Sequence, residues 1–200
     1  SYLAFKKFKA EQEQNRIEQS NSIGITEKSA AEAGIKYNNL SNSIKAVNDQ
    51  LERLCAEKQE IVIVGGSSLA LMGLRESTRD IDLVTEIGDL LMTAIVEVAN
   101  AFQISESWMN NSARFFAPRN TTLDRCSIFL DLSKLRIHFL HTDDLFVMKL
   151  YASRGPIDFL DLVLLWPLCT FVDAKSAVNH YWNVYEGAYP DEFLEEYVQR

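Results

Sequence analysis

The chain has 200 residues, with 47% hydrophobic and 24% charged residues, a formal net charge of −8 and a pI near 4.9. This composition excludes collagen-like, low-complexity and wholly disordered chains, and the length suits one domain with an appendage. The whole acid excess falls in residues 61–200, where eleven Lys/Arg face nineteen Asp/Glu. An acidic domain of this kind lacks the broad basic footprint of tight, sequence-independent nucleic-acid binding, although a local patch could still receive a nucleic acid.

Cys55, Cys126 and Cys169 are odd in number and widely spaced, with no CxxC pair, which argues against a disulfide framework or a structural zinc site. The longest uncharged runs, Ile61–Leu74 and Leu162–Val172, are too short to span a bilayer. No signal peptide is recognised at the start. The expectation is a cytoplasmic chain in a reducing compartment, with no membrane partner.

The predicted elements run as follows. Residues 1–20 read as an amphipathic helix, with Leu3, Phe5 and Phe8 as a docking face. After a weak break near Gly24, Ala33, Tyr37, Leu40, Ile44, Val47, Leu51 and Leu54 recur at steps of four and three. That period predicts a helix ending near Glu57, either a coiled-coil seam or, preferably, a helix packed on its own domain. Ile61–Val64 is a β-branched buried strand, followed by the Gly65-Gly66-Ser67 turn and a helix over 68–74. A strand over 80–84 and a helix over 88–102 come next, then irregular or hairpin structure over 107–118. Strands over 127–132 and 135–140 precede a helix capped by Thr142, another opened by Pro156, and a helical tail broken near Gly187. The fold class is α+β, a mixed sheet with flanking helices. The organisation expected is an N-terminal helical extension (1–43), a central domain (44–166) and a C-terminal helical segment (167–200).

Chemistry concentrates in two places. Asp80 and Asp82 alternate around Ile81 on a strand, so both carboxylates project from one face. Their mutual repulsion calls for a cation, and Mg²⁺, with its preference for oxygen ligands and phosphates, is the natural one; a solvent-facing edge strand is the plainer alternative. Gly65-Gly66-Ser67, between a buried strand and a helix, lets backbone approach a phosphate closely. It is neither a Walker A loop, since Leu71 stands where the lysine should, nor a dinucleotide fingerprint, since Leu69 replaces the third glycine. A phosphate-cradling turn followed about fifteen residues later by an Asp-x-Asp strand is the layout of metal-dependent nucleotidyl transfer. His138 and His141, three apart on a strand, face opposite sides and make a poor chelate. Trp108, Trp166 and Trp182 read as core residues.

The stretch Val64–Leu83, with Gly-Gly-Ser followed by Arg-x-x-x-Arg-Asp-Ile-Asp, resembles the nucleotidyltransferase fold of the DNA polymerase beta superfamily. The similarity is to its small prokaryotic branch, which includes abortive-infection toxin nucleotidyltransferases. Lys149-Leu-Tyr-Ala-Ser-Arg154 with Asp158-Phe-Leu-Asp161, and the Trp108-Met-Asn110 element, extend the resemblance over residues 45–166. It implies Asp80 and Asp82 as Mg²⁺ ligands, and Gly65, Gly66, Ser67, Arg79 (or Arg75), Arg154 and Asp158 around an NTP. Lys149 and Asp161 would complete the catalytic set. Asp131 is the candidate third carboxylate, or else a solvated acid at a strand end. The activity implied is transfer of NMP from an NTP to a hydroxyl of an RNA end or a protein side chain, with a toxin-like role among what the resemblance implies. The competing expectation is a degenerate interaction module, part of a toxin–antitoxin-type pair, with the N-terminal helices engaging a homodimer or protein partner.

Overall fold

A computed structural model describes residues 35–119, 121–152, 156–188 and 190–200, with side chains from 39 onward except 156 and 157. The helix expected over residues 1–20, the Ala33 and Tyr37 side chains and Arg154 therefore lie outside the described residues.

The elements are β1 (Ile35–Lys36), α1 (Tyr37–Arg53), β2 (Gln59–Val64), α2 (Gly65–Leu71), β3 (Ser77–Thr78), β4 (Ile81–Leu83), α3 (Asp89–Phe102) and β5 (Met109–Asn110). They continue with β6 (Cys126–Asp131), β7 (Leu135–Leu140), α4 (Thr142–Ala152), α5 (Pro156–Leu165), α6 (Ala174–Val184) and α7 (Leu194–Gln199). The fold is α+β, as the sequence implied. β1 and β3 form a small antiparallel pair, and the other five strands form one mixed sheet in the order β5-β4-β2-β7-β6. β2 lies parallel to β7 and antiparallel to β4, while β6 returns antiparallel on β7 as an edge.

Strand alternation divides the core in two. Ile61, Ile63, Ile81, Leu83, Ile137 and Phe139 point to one face, where Leu40, Ile44, Val47 and Leu51 of α1 and Leu91, Ile95 and Val98 of α3 cover them. Val62, Val64 and Leu140 point to the other, under Leu145, Met148, Leu162, Leu165, Val178 and Tyr181 from α4, α5 and α6. β2 is buried on both faces, which explains its unbroken β-branched run.

The four central positions of the helical stripe, from Leu40 to Leu51, are thus spent inside the domain, and Leu54 is exposed. The coiled-coil reading is corrected for those positions, since an apolar residue already buried against its own sheet offers no seam. The division expected between residues 43 and 44 falls inside α1, and residues after 166 share a core with α4. Trp108 is buried and donates from Nε1 to the Ile95 carbonyl at 3.1 Å, locking β5 against α3. Asp173 and Ser176 form a reciprocal capping box that starts α6. No described helix is long and apolar enough to cross a membrane.

Candidate active site

The site forms where β2 ends. α2 begins at Gly65 itself, earlier than the sequence suggested, with the extended Val64 before it. Gly65 takes φ +67°, a left-handed conformation that side chains disfavour. A Cβ there would stand 2.7 Å from Asp82 Oδ2. A Cβ on Gly66 would stand 2.6 Å from Arg75 Nη1 and 3.4 Å from Thr78 Oγ1. The positive φ favours glycine at position 65, while an acid packs over the first glycine and a guanidinium over the second.

Register sets this up. Asp82 on β4 pairs directly with Val64, the last residue of β2, so its side chain emerges beside the turn. Ser67 fastens the arrangement: its buried hydroxyl donates to the Val64 carbonyl at 2.7 Å and accepts the Asp82 N–H at 3.2 Å. Both hydrogen-bonding directions of that hydroxyl are used internally. Ser67 ties the turn to the acidic strand, and in this arrangement it has no surface to offer a phosphate. Asp80 lies one residue before β4, half-buried, with its carbonyl accepting from the buried Thr78 hydroxyl at 3.0 Å. Thr78 is thus the buttress that shapes the approach to the acidic pair.

Further lining comes from α4 and α5. Lys149 Nζ lies 2.9 Å from Asp158 Oδ1 and 2.6 Å from Asp161 Oδ2, and Arg75 Nη1 lies 3.4 Å from the same Asp161 oxygen. Asp161 is almost wholly buried, so its carboxylate needs both cations. Gly65, Gly66, Asp82, Ser112, Lys149 and Asp158 line a pocket of about 170 Å³, together with the apolar Val64, Leu145 and Phe116. Of the residues singled out from sequence, Gly65, Gly66, Asp82, Lys149 and Asp158 meet here. Asp161 stands directly behind Lys149.

Three more residues do not line this pocket: Asp80, which precedes β4 and stays outside the lining, Arg79 and Asp131. Arg79 is exposed, and the arginine beside the turn is Arg75. Asp131 stands at a distance. It ends β6 opposite Arg136, which is level with Glu60 at the start of β2, so it sits about 16 Å along the strands from Gly65. Its carboxylate is engaged by Arg136 Nη2 at 2.9 Å and by Lys58, which together pull its pKa down from 3.8 to about 2. Its place matches the alternative of a solvated acid at a strand end, where it fastens β6 to its neighbours through two surface cations. On the face that carries Asp82, the corresponding positions of β7 and β6 are Leu140 and Cys126. Among the described residues no three His, Cys, Asp or Glu side chains form a metal-binding group.

The histidines behave as expected. His138 is buried with Nε2 2.8 Å from Glu60, while His141 is largely exposed. Ser112 and Phe116, from the 3₁₀ turn Ser112–Phe116, line the pocket and were not singled out from sequence. Their only signal was proximity to the Trp108-Met-Asn110 element.

A mixed sheet with a glycine turn, an acidic strand and a lysine-bearing helix converging on one pocket defines a nucleotidyltransferase-like α+β domain. Residues 40–164 match the family model described as nucleotidyltransferase of unknown function (DUF6036), and the chain belongs to that family. No curated protein and no solved structure matches the chain.

Proposed function

We propose that this protein transfers NMP from an NTP to an acceptor hydroxyl, with release of pyrophosphate. The observation that carries the reading is the packing of the Asp82 carboxylate over Gly65 in a pocket that Lys149 also lines. An acid held against a side-chain-free turn and a lysine of the same lining form a mouth that can take a polyphosphate. The acceptor oxygen would bond to the α-phosphorus, the α–β phosphoanhydride bond would break, pyrophosphate would leave, and the hydroxyl proton would pass to water.

Mg²⁺ suits the donors available. Magnesium is commonly held by one or two carboxylates plus substrate phosphates; Asp82 supplies one beside the turn, and Asp80, two residues earlier, would supply the second. When bound, the ion would neutralise phosphate charge and stabilise the leaving oxygens. The chain's own part is to hold and orient. Ser67 and the Val64–Asp82 register aim the Asp82 carboxylate, Gly65 and Gly66 admit close approach, and Lys149 supplies positive charge from α4. Asp161 holds Lys149 and Arg75 in place, and Asp158 balances Lys149 until a phosphate displaces it.

A second reading, that of a degenerate interaction module, draws on Leu140 and Cys126 standing where a third acid would reach the pocket. A toxin-like role or membership of a toxin–antitoxin-type pair extends either reading to the cell. Incubation with Mg²⁺, each labelled NTP, and total tRNA or cell extract separates the two. Label transfer lost in Asp80→Ala and Asp82→Ala supports the enzyme, and transfer that survives both substitutions sinks the mechanism. No transfer and no NTP binding by calorimetry favours the module. Growth arrest on expression of the wild type but not of Asp82→Ala would support the toxin role.

A further inference from the structure

Beside the nucleotide pocket lies a second and larger one, of about 410 Å³. Val62 and Val84 line it, and the Val84 N–H bonds the Val62 carbonyl at 3.1 Å. Val62 and Val84 are each two residues from Val64 and Asp82, so the two pockets open on the same sheet face about 7 Å apart. One segment walls both. Ser112, Ala113 and Phe116 face the first, and Arg114, Phe115 and Arg119 face the second.

The chemistry of the second pocket differs from that of the molecule around it. Two arginines, Arg114 and Arg119, line the pocket in a chain of net charge −8, while Arg125 nearby is paired with Asp144 at 3.7 Å. Phe115 is 83% exposed and presents a ring on which a planar group can stack. The Arg114 guanidinium sits 6.0 Å from the centre of that ring and is also paired with Glu86 at 3.2 Å. Arg119 is exposed and makes no ion pair with any described residue. Thr121 and Thr122 also line the pocket, with the Thr121 hydroxyl donating to the Pro118 carbonyl at 2.8 Å. A bare aromatic face flanked by arginines is what an unstacked nucleobase and its phosphate require, because every base has a π-face and every link a negative charge.

We infer that this pocket is the acceptor subsite and that it takes the terminal nucleotides of a single-stranded RNA. The last base stacks on Phe115, a backbone phosphate meets Arg119, and the terminal hydroxyl points along the shared sheet face into the nucleotide pocket. This deepens the transfer reading and rests on it. The small positive patch within an acidic domain suits an RNA end rather than a long duplex, and a protein side chain would not need the exposed ring.

The test is fluorescence anisotropy of the full chain with a short labelled oligoribonucleotide bearing a free 3′ hydroxyl, over a range of salt, alongside calorimetry with each NTP. Phe115→Ala should weaken oligonucleotide binding about tenfold, and Phe115→Trp should restore it. Arg119→Ala should reduce the salt slope by about one phosphate contact. NTP affinity should hold in all three variants. The inference is overturned if the wild type does not bind the oligonucleotide, if the variants bind it as well as the wild type does, or if NTP binding falls in parallel. Oligonucleotide binding that depends on Phe115, in a protein that binds no NTP, would instead keep the subsite and remove the transfer reading.

Discussion

Replacing Gly65 with alanine tests how the acid is aimed. At φ +67° an L-residue costs about 1–2 kcal/mol in backbone strain. The new methyl group would also stand 2.7 Å from Asp82 Oδ2, so the carboxylate must retreat by about 0.7 Å to reach ordinary contact. A misplacement near 1 Å at reacting groups can cost about 100-fold in rate. Gly73 supplies the control: its φ is +74°, and a Cβ there meets nothing within 4 Å. Urea denaturation should therefore show both Gly65→Ala and Gly73→Ala destabilised by about 1–2 kcal/mol. Labelled-NTP transfer should fall by one to two orders of magnitude only in Gly65→Ala. Equal rates in the two variants, with Asp82→Ala inactive, would refute the claim that Gly65 is kept to seat the Asp82 carboxylate.

Other consequences are as concrete. Asp161→Asn strips the shared anion from Lys149 and Arg75 and should cost about 3 kcal/mol by urea denaturation, because one partner of a buried pair is removed; a loss under about 1 kcal/mol would contradict the network. Asp131→Asn should leave transfer at the wild-type rate. Since the Asp131 carboxyl is held below its unfolded value, chiefly by Arg136, its stabilising effect is present above about pH 4 and disappears as pH falls towards 2. An acid titration should therefore separate Asp131→Asn from wild type at neutral pH only slightly and not at all near pH 2. Burial and the nearby Asp143 push the Cys169 thiol up to about 12, whereas Cys55 is exposed. Alkylation at pH 8 followed by peptide mass mapping should label Cys55 promptly and Cys169 only after denaturation; early Cys169 labelling would contradict its packing.

Much of the fold is legible in local pattern. The β-branched run Ile61–Val64 can only be satisfied by cover on both faces, and the three- and four-residue spacing from Leu40 to Leu51 can only be satisfied by one apolar surface. The two parts of the site were legible for the same reason: Gly65-Gly66 and Asp80-x-Asp82 each break the rules of ordinary strands and helices. What stayed hidden was anything that depends on strand direction. Asp131 looked like a candidate acid because sequence gives its strand but not which end of the sheet it reaches. Arg75 and Arg79 flank the same Thr78, and only the path of the chain after α2 lays Arg75 across Gly66.

The sequence by itself therefore determined that two glycines and two aspartates stand at the ends of buried strands, with a lysine-bearing helix to follow. Side-chain type, period and spacing are local quantities. The tertiary structure alone decided that Asp82 pairs with Val64, that the Ser67 hydroxyl is consumed in holding that pairing, and that Asp131 lies at the far end. Those outcomes depend on sheet order and register, which are fixed by which faces the whole chain can bury at once. The acid excess of residues 61–200 divides in the same way. Asp82 and Asp158 line the pocket with Asp161 behind them, Asp131 fastens strands, and one arginine-bearing segment beside the pocket stands apart from the charge of the rest.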